Sequence, residues 1–181
     1  LVIQPRDSCQ ESKVLGSGPG IEDSIDGHLV IVGRSSHARV DLWFTNAKGA
    51  TSMLIGVDWG GTKIEALGIE EDGTELLRIR EATPRGDYRG CLDVIAELIE
   101  RIEQQTGQTG KVGIGIPGSL VPATGIGKGG SSTWINGQPV AADLHARLNR
   151  ELRIENDADC FAESEAIDGA GAGYRFVFGV I

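Results

Sequence analysis

Asp58, Gly60, Gly61, Thr62 and Lys63 close an apolar run in the stretch GVDWGGTK, residues 56–63. Adjacent glycines allow φ > 0 and let a backbone approach a ligand closely. Successive N–H groups in such a turn form an anion-binding nest. Asp58 at the strand end can hold Mg²⁺ through an oxygen or a water, and the Thr62 hydroxyl can bond a phosphate oxygen. The chemistry on offer is that of a nucleotide phosphate. The spacing is not GxxxxGK followed by Ser or Thr ahead of a helix, and no helix opens here as a dinucleotide-binding loop requires. An ordinary β-turn that needs glycine fits the pair equally well.

A second group lies in ENDAD, residues 155–159, at a strand-to-helix junction. Asp157 there suits a helix N-cap, the common structural role of an aspartate. An exposed carboxylate at a strand end can also take the proton of a hydroxyl as it attacks a phosphoryl group. Asn156 beside it offers both donor and acceptor to a polyol.

The elements that must position these groups follow from periodicity. Residues 53–59, 63–70 and 75–83 read as three strands, with EDGT (71–74) as the hairpin turn between the last two. TPRGDYRG is loop. Leu92, Ile95, Ile99 and Ile102 recur at helical spacing, and Glu97 stands four residues before Arg101, so a helix runs over 87–106 and ends at Gly107. Then come a strand (111–118), a helix (140–152), a strand end (153–157), a helix fraying into glycines (158–173) and a strand (176–181). Three antiparallel strands followed by alternating helix and strand predict a mixed α/β layer.

Net charge is −9, which disfavours a nucleic-acid or anionic-membrane partner. Most of the acidity follows residue 52, where 20 Asp and Glu face 12 Lys and Arg. Backbone N–H groups and a metal can still bind phosphate in an acidic protein. Hydrophobic content of 40% and charged content of 24% are globular values. Cys9, Cys91 and Cys160 form no CxxC pair and read as reduced thiols in the cytoplasm. No apolar stretch approaches the ~18 residues of a spanning helix.

Residues 1–52 read poorly as a domain. HLVIVG (28–33) and VDLWF (40–44) are strand-like, but nothing helical joins them. Met53 is the only methionine and stands directly before LIGVDWGGTK, so the expectation is an upstream extension ahead of a domain over 53–181. A DNA-binding arm would need two short helices and a basic face, and five Lys and Arg spread over 52 residues do not supply it.

The segments IGVDWGGTKIEALG, TPRGDY, VGIGIPG, STWINGQP, ENDADCFAESEAIDGAGAG and VFGVI occur in the order and spacing of the ROK family of sugar kinases. The resemblance covers 53–181, leaves out 1–52, and is strongest to the bacterial fructokinases of that family. It implies a ribonuclease-H-like, actin-type fold, and transfer of the ATP γ-phosphate to a hexose, with Mg²⁺, usually at the 6-hydroxyl. Fructose is the expected substrate, and a homodimer is an expectation for the full-length protein. By motif match Gly60, Gly61, Thr62 and Lys63 look like the first phosphate loop and Asp58 like the metal ligand. Asp157 looks like the catalytic base and Asn156 like a sugar ligand. Gly118 and Ser119 fall on the sugar-side loop, and Ser131 where a polar side chain reaches the sugar.

Departures accompany the match. GKGGSSTW (127–134) stands where close relatives read Lys-Asn-Ala-Asn-Ser-Thr-Trp, so Gly129 and Ser131 replace asparagines. Asp159 replaces an asparagine and adds negative charge near Asp157. The family's second phosphate motif, its structural zinc ligands and its adenosine lobe have no counterpart here. His28, His37 and His145 do not fit zinc spacing with any cysteine. The resemblance therefore implies an N-terminal lobe with little turnover by itself. A ROK-type sugar-responsive transcriptional regulator is the rival reading, distinguished by an N-terminal helix-turn-helix and a lost phosphate loop; a non-catalytic sugar-binding fragment is the third.

Overall fold

The structure is a computed structural model that describes residues 24–25, 28–33, 53–167, 169–174 and 176–180. In chain order the elements are β1 (Ser24–Ile25), β2 (His28–Gly33), β3 (Leu54–Trp59), β4 (Lys63–Ile69), β5 (Glu75–Ala82), α1 (Tyr88–Thr106), β6 (Lys111–Ile116), β7 (Ser119–Leu120), β8 (Gly127–Lys128), α2 (Val140–Leu148), β9 (Leu152–Asn156), α3 (Asp157–Ile167) and β10 (Phe176–Val180). They fall into two compact units, Ala50–Asp157 and Leu1–Gly49 with Ala158–Ile181.

The Ala50–Asp157 unit is built on a five-stranded sheet of order β5-β4-β3-β6-β9. The first three strands form an antiparallel meander; β6 and β9 run parallel to β3. This is the mixed sheet expected from three antiparallel strands followed by alternating helix and strand. Strand alternation in β3 sends Ile55, Val57 and Trp59 into the core and leaves Leu54, Gly56 and Asp58 half-buried on the other face. Ile95, Leu98, Ile99 and Ile102 of α1 cover the first face, together with Ile64 and Ala66 of β4 and Val112, Ile114 and Ile116 of β6. Each fully buried isoleucine or leucine stabilises by about 1.5–3 kcal/mol relative to exposure.

Helix α1 starts where Asp87 caps it, its carboxylate accepting the Gly90 N–H at 2.9 Å. It stops at Gly107, whose left-handed φ of 69° returns its N–H to the Glu103 carbonyl. Both ends match the sequence reading. The second helix is shorter than the expected 140–152, because Asn149 turns left-handed at φ 48° and sends its N–H to the His145 carbonyl. The strand expected over 111–118 stops at Ile116, since Pro117 lacks an N–H for the ladder and Gly118 has φ 108°. The β7–β8 hairpin and the 3-10 turn at Thr133–Ile135 were not foreseen. The helix expected over 158–173 is regular only over Asp157–Ile167, and turns follow through 169–173.

In the other unit β1, β2 and β10 form an antiparallel sheet, with Val32 opposite Val177 and Ile31 opposite Phe178. Of the segment set apart at 1–52, His28–Gly33 thus pairs with Phe176–Val180; the strand expected at 40–44 and Cys9 lie outside the described residues. Cys91 and Cys160 are buried and form no disulfide among the described residues. Among the described residues no helix is long and apolar enough to cross a membrane.

Candidate functional site

The site forms at the carboxyl ends of three parallel strands, where open α/β sheets characteristically receive ligands. Register decides the grouping. Asp58 of β3 lies opposite Gly115 of β6, and Ile116 lies opposite Asn156 of β9. Neighbouring strands are about 4.8 Å apart. Asp58, the Pro117-Gly118 exit and Asn156-Asp157 therefore share one end of the sheet.

The Gly60–Lys63 segment turns from β3 into β4. Neither Gly60 nor Gly61 has a positive φ, so left-handed freedom is not why they are glycine. The reason is space. A Cβ on Gly60 would stand 2.8 Å from the Lys63 carbonyl oxygen, and one on Gly61 would stand 3.0 Å from Ser132 Oγ. The loop carbonyls all have donors: Thr83 Oγ1 donates to Gly60 O at 2.7 Å, Arg85 Nε to Gly61 O at 3.2 Å, and Thr83 N to Thr62 O at 3.1 Å. The described residues offer no backbone acceptor to the Gly61 and Thr62 N–H groups. Thr62 and Lys63 are exposed. Lys63 Nζ lies 3.7 Å from Glu65 Oε2, so its ammonium leans back along β4 rather than standing alone over the turn.

At the β9 end, Asn156 Nδ2 donates to Gly118 O at 2.7 Å and to Asp157 Oδ1 at 3.0 Å. Two bonds occupy both hydrogens of that amide. Asn156 thus braces the Asp157 carboxylate and the loop at Gly118, and a polyol would compete for these donors. Asp157 opens α3 as its first residue.

The loop from Gly118 to Asn136 is held by close backbone contact. A Cβ on Gly118 would lie 2.6 Å from Gly130 N, and one on Gly130 would lie 2.3 Å from Pro117 O. The Asn136 side chain mimics a strand partner for Gly130, accepting its N–H at 2.9 Å and donating to its carbonyl at 3.2 Å. Ser119 is half-buried and pairs with Lys128 in the β7–β8 hairpin. Ser131 is exposed, whereas Ser132 is buried and reaches the glycine turn at Gly61.

Electrostatics marks the same end. Burial pushes the Asp58 carboxyl above its usual range; Lys63 pulls it down, and the nearby negative charges of Asp157 and Glu65 push it up again. Negative charge gathered at one end of the sheet attracts a cation. Asp58 is suited to hold Mg²⁺. Among the described residues no three His, Cys, Asp or Glu side chains cluster as a metal cage. A cation bound through one or two carboxylates and completed by water and phosphate oxygens is the usual magnesium arrangement. Glu65 stays in the cross-strand row Asp58–Glu65–Arg80. Burial raises its pKa, but the Arg78 and Arg80 guanidiniums outweigh burial and hold it low.

The structure thus gathers Asp58, Gly60, Gly61, Thr62, Asn156, Asp157 and Gly118 at one end of the sheet, and brings Ser132 against Gly61, while Ser131 is exposed. Sequence reasoning missed Thr83, Arg85, Ser132 and Asn136. Thr83 and Arg85 stood inside a quoted segment, TPRGDY, but as loop residues with no partner assigned.

Comparison with known proteins places this arrangement in context. The ROK family model matches residues 54–181. An N-acetyl-D-glucosamine kinase of Haemophilus influenzae (strain 86-028NP) is 40% identical over 129 residues, covering 71% of this chain and 42% of the relative. The chain thus spans under half the length of the curated relatives it matches. A ROK family glucokinase from Streptomyces griseus, solved in complex with glucose and AMPPNP, matches with a TM-score of 0.60 and 30% identity, over 67% of this chain and 38% of that one. A ROK family transcriptional regulator, a homologue of the E. coli MLC protein, matches at TM-score 0.57 and 14% identity over 67% of this chain and 32% of its own, a likeness of fold alone. The fructokinase expectation finds no support in these relatives.

Proposed function

Because the chain belongs to the ROK family, we propose that it carries the phosphate loop and the catalytic base of an ATP-dependent kinase acting on a hexose or an N-acetylated amino sugar. The observation that carries this reading is the convergence of the Gly60–Thr62 turn and the Asn156–Asp157 pair on one end of the sheet, close enough for Asp157 to perturb Asp58. The names of the curated relatives favour N-acetyl-D-glucosamine over fructose as the first sugar to test.

In this reading the Gly61 and Thr62 N–H groups receive phosphate oxygens of ATP. Asp157, oriented by Asn156, accepts the proton of the attacking sugar hydroxyl. The hydroxyl oxygen forms a bond to the γ-phosphorus as the bond from that phosphorus to the β,γ-bridging oxygen breaks, and ADP leaves with the electron pair. Mg²⁺, held by Asp58, would neutralise charge on the phosphate oxygens. Gly118, Ser119 and Ser131 line the sugar side. Gly129 and Ser131, in place of bulkier amides, tune which hexose fits.

The test is a coupled phosphorylation assay with ATP and Mg²⁺ on N-acetyl-D-glucosamine, glucose, mannose and fructose. It is run on the 181-residue chain and on a form extended to the length of the relatives. Turnover in the extended form that collapses in Asp157→Asn supports the assignment. Near-normal turnover in that variant rules out Asp157 as the base. Sugar binding with no phosphorylation in either form favours a regulatory protein.

A further inference from the structure

Three consecutive carbonyls of the glycine turn, those of Gly60, Gly61 and Thr62, are each bonded by a donor from one short segment, Thr83 to Arg85. Such a row of acceptors all turned toward one neighbour leaves the peptide N–H groups facing the other way, because N–H and C=O of a trans peptide point in opposite directions. The segment is itself anchored. The Pro84 carbonyl accepts the Asp87 N–H at 3.0 Å and the Cys91 thiol at 3.5 Å, and the Cys91 N–H bonds the Asp87 carbonyl at 3.1 Å. The base of the segment is therefore the capped first turn of α1, whose Cys91 is fully buried. Thr83 is itself buried, at 7% exposure, so its hydroxyl has a fixed partner rather than water.

We propose that Thr83 and Arg85 are positioning residues that hold the glycine turn with its N–H groups presented to phosphate, α1 serving as the rigid base of the clamp. The inference rests on the phosphate-loop reading above. It adds a cause: the turn is preorganised from behind, by its carbonyls, rather than by glycine's left-handed freedom. Without the clamp each N–H must be reoriented on binding, and the ligand carries that cost. The Thr83 hydroxyl sets the Gly60 carbonyl and its backbone N–H the Thr62 carbonyl, while the Arg85 side chain sets that of Gly61. Of the two side chains, the buried Thr83 hydroxyl at 2.7 Å should matter more and the exposed Arg85 at 3.2 Å less.

The test reads the backbone amides of Gly61 and Thr62 directly, by ¹⁵N–¹H NMR on the full 181-residue chain, alone and titrated with inorganic pyrophosphate and with Mg²⁺–AMPPNP. Variants are Thr83→Val, which keeps shape and removes the donor; Thr83→Ser, which keeps the donor; and Arg85→Met at the exposed position. Thr83→Val is expected to shift chiefly the Gly61 amide, which shares a peptide unit with the Gly60 carbonyl, to speed its hydrogen exchange and to weaken pyrophosphate by roughly tenfold, the size of one hydrogen bond to a turn. Thr83→Ser should restore wild-type shifts and affinity, and Arg85→Met should show a smaller effect, centred on the Thr62 amide. If both Thr83→Val and Arg85→Met leave the two amides where they are, the clamp is wrong, whatever the ligands do. If Thr83→Val proves unfolded, Arg85→Met decides alone, through the Thr62 amide. If the variants move the amides but pyrophosphate and Mg²⁺–AMPPNP perturb neither amide in wild type, the clamp stands as a structural device. The phosphate assignment then falls.

Discussion

The Asn156 side chain donates at once to the Gly118 carbonyl, 2.7 Å away, and to the Asp157 carboxylate, 3.0 Å away. One amide thereby sets the direction of the proposed base and the position of the loop at Gly118. In an extended, active form, Asn156→Ala is expected to lower kcat/KM by ten- to a hundredfold, about 1.5–3 kcal/mol, the range for a hydrogen bond to a charged group. The loss should fall on both kcat and KM. A change confined to KM would mean that Asn156 serves the sugar and not Asp157.

Gly61 stands where any Cβ would lie 3.0 Å from the buried Ser132 Oγ. Gly61→Val should abolish measurable binding of Mg²⁺–ATP, since its methyls intrude on the turn and displace Ser132. Isothermal titration of the variant and wild type checks this. Unchanged affinity would refute the loop reading.

Gly130 makes the closest backbone approach at this end of the sheet, its absent Cβ being 2.3 Å from the Pro117 oxygen. Gly129, one residue earlier, has φ 66° and open space around it. Gly130→Ala is expected to destabilise by roughly 2–4 kcal/mol through a forced backbone shift. Gly129→Ala should cost only the left-handed penalty of about 1–2 kcal/mol. Urea denaturation of both variants tests the order, which is the informative result.

Arg150 grips both carboxylate oxygens of Glu103, at 2.6 and 2.9 Å, and joins the end of α1 to the segment after α2. The Arg150 hydrogen bond holds Glu103 below the usual carboxylate range, against burial. A depressed carboxylate contributes stability above its unfolded pKa and loses it as pH falls through the folded one. Thermal stability should therefore decline as pH drops below about 4.3, the ordinary glutamate value. Glu103→Gln should flatten that part of the acid limb while lowering stability at neutral pH. A melting-temperature profile between acid and neutral pH settles it; parallel profiles would exclude Glu103 as a contributor.

The sequence by itself determined most of the elements, though not the β7–β8 hairpin or the turn at Thr133–Ile135. Alternation in β3 and the helical spacing of Leu92, Ile95, Ile99 and Ile102 are local patterns, and a chain shows them without knowing its partners. Asp87 and Gly107 bound α1 because capping is decided within a few residues. Asp58, the glycine pair and Asn156-Asp157 were legible because residue type and strand-end position together suggest what they can bind. Tertiary structure alone decided the reason for those glycines, which is crowding by Lys63 and Ser132 and not left-handed backbone. It alone gave Thr83 and Arg85 their place, since the carbonyls they hold lie more than twenty residues earlier and become neighbours only when β4 and β5 pair. Pairing across a sheet is a long-range event, and no local signal in a loop says which carbonyls it will meet.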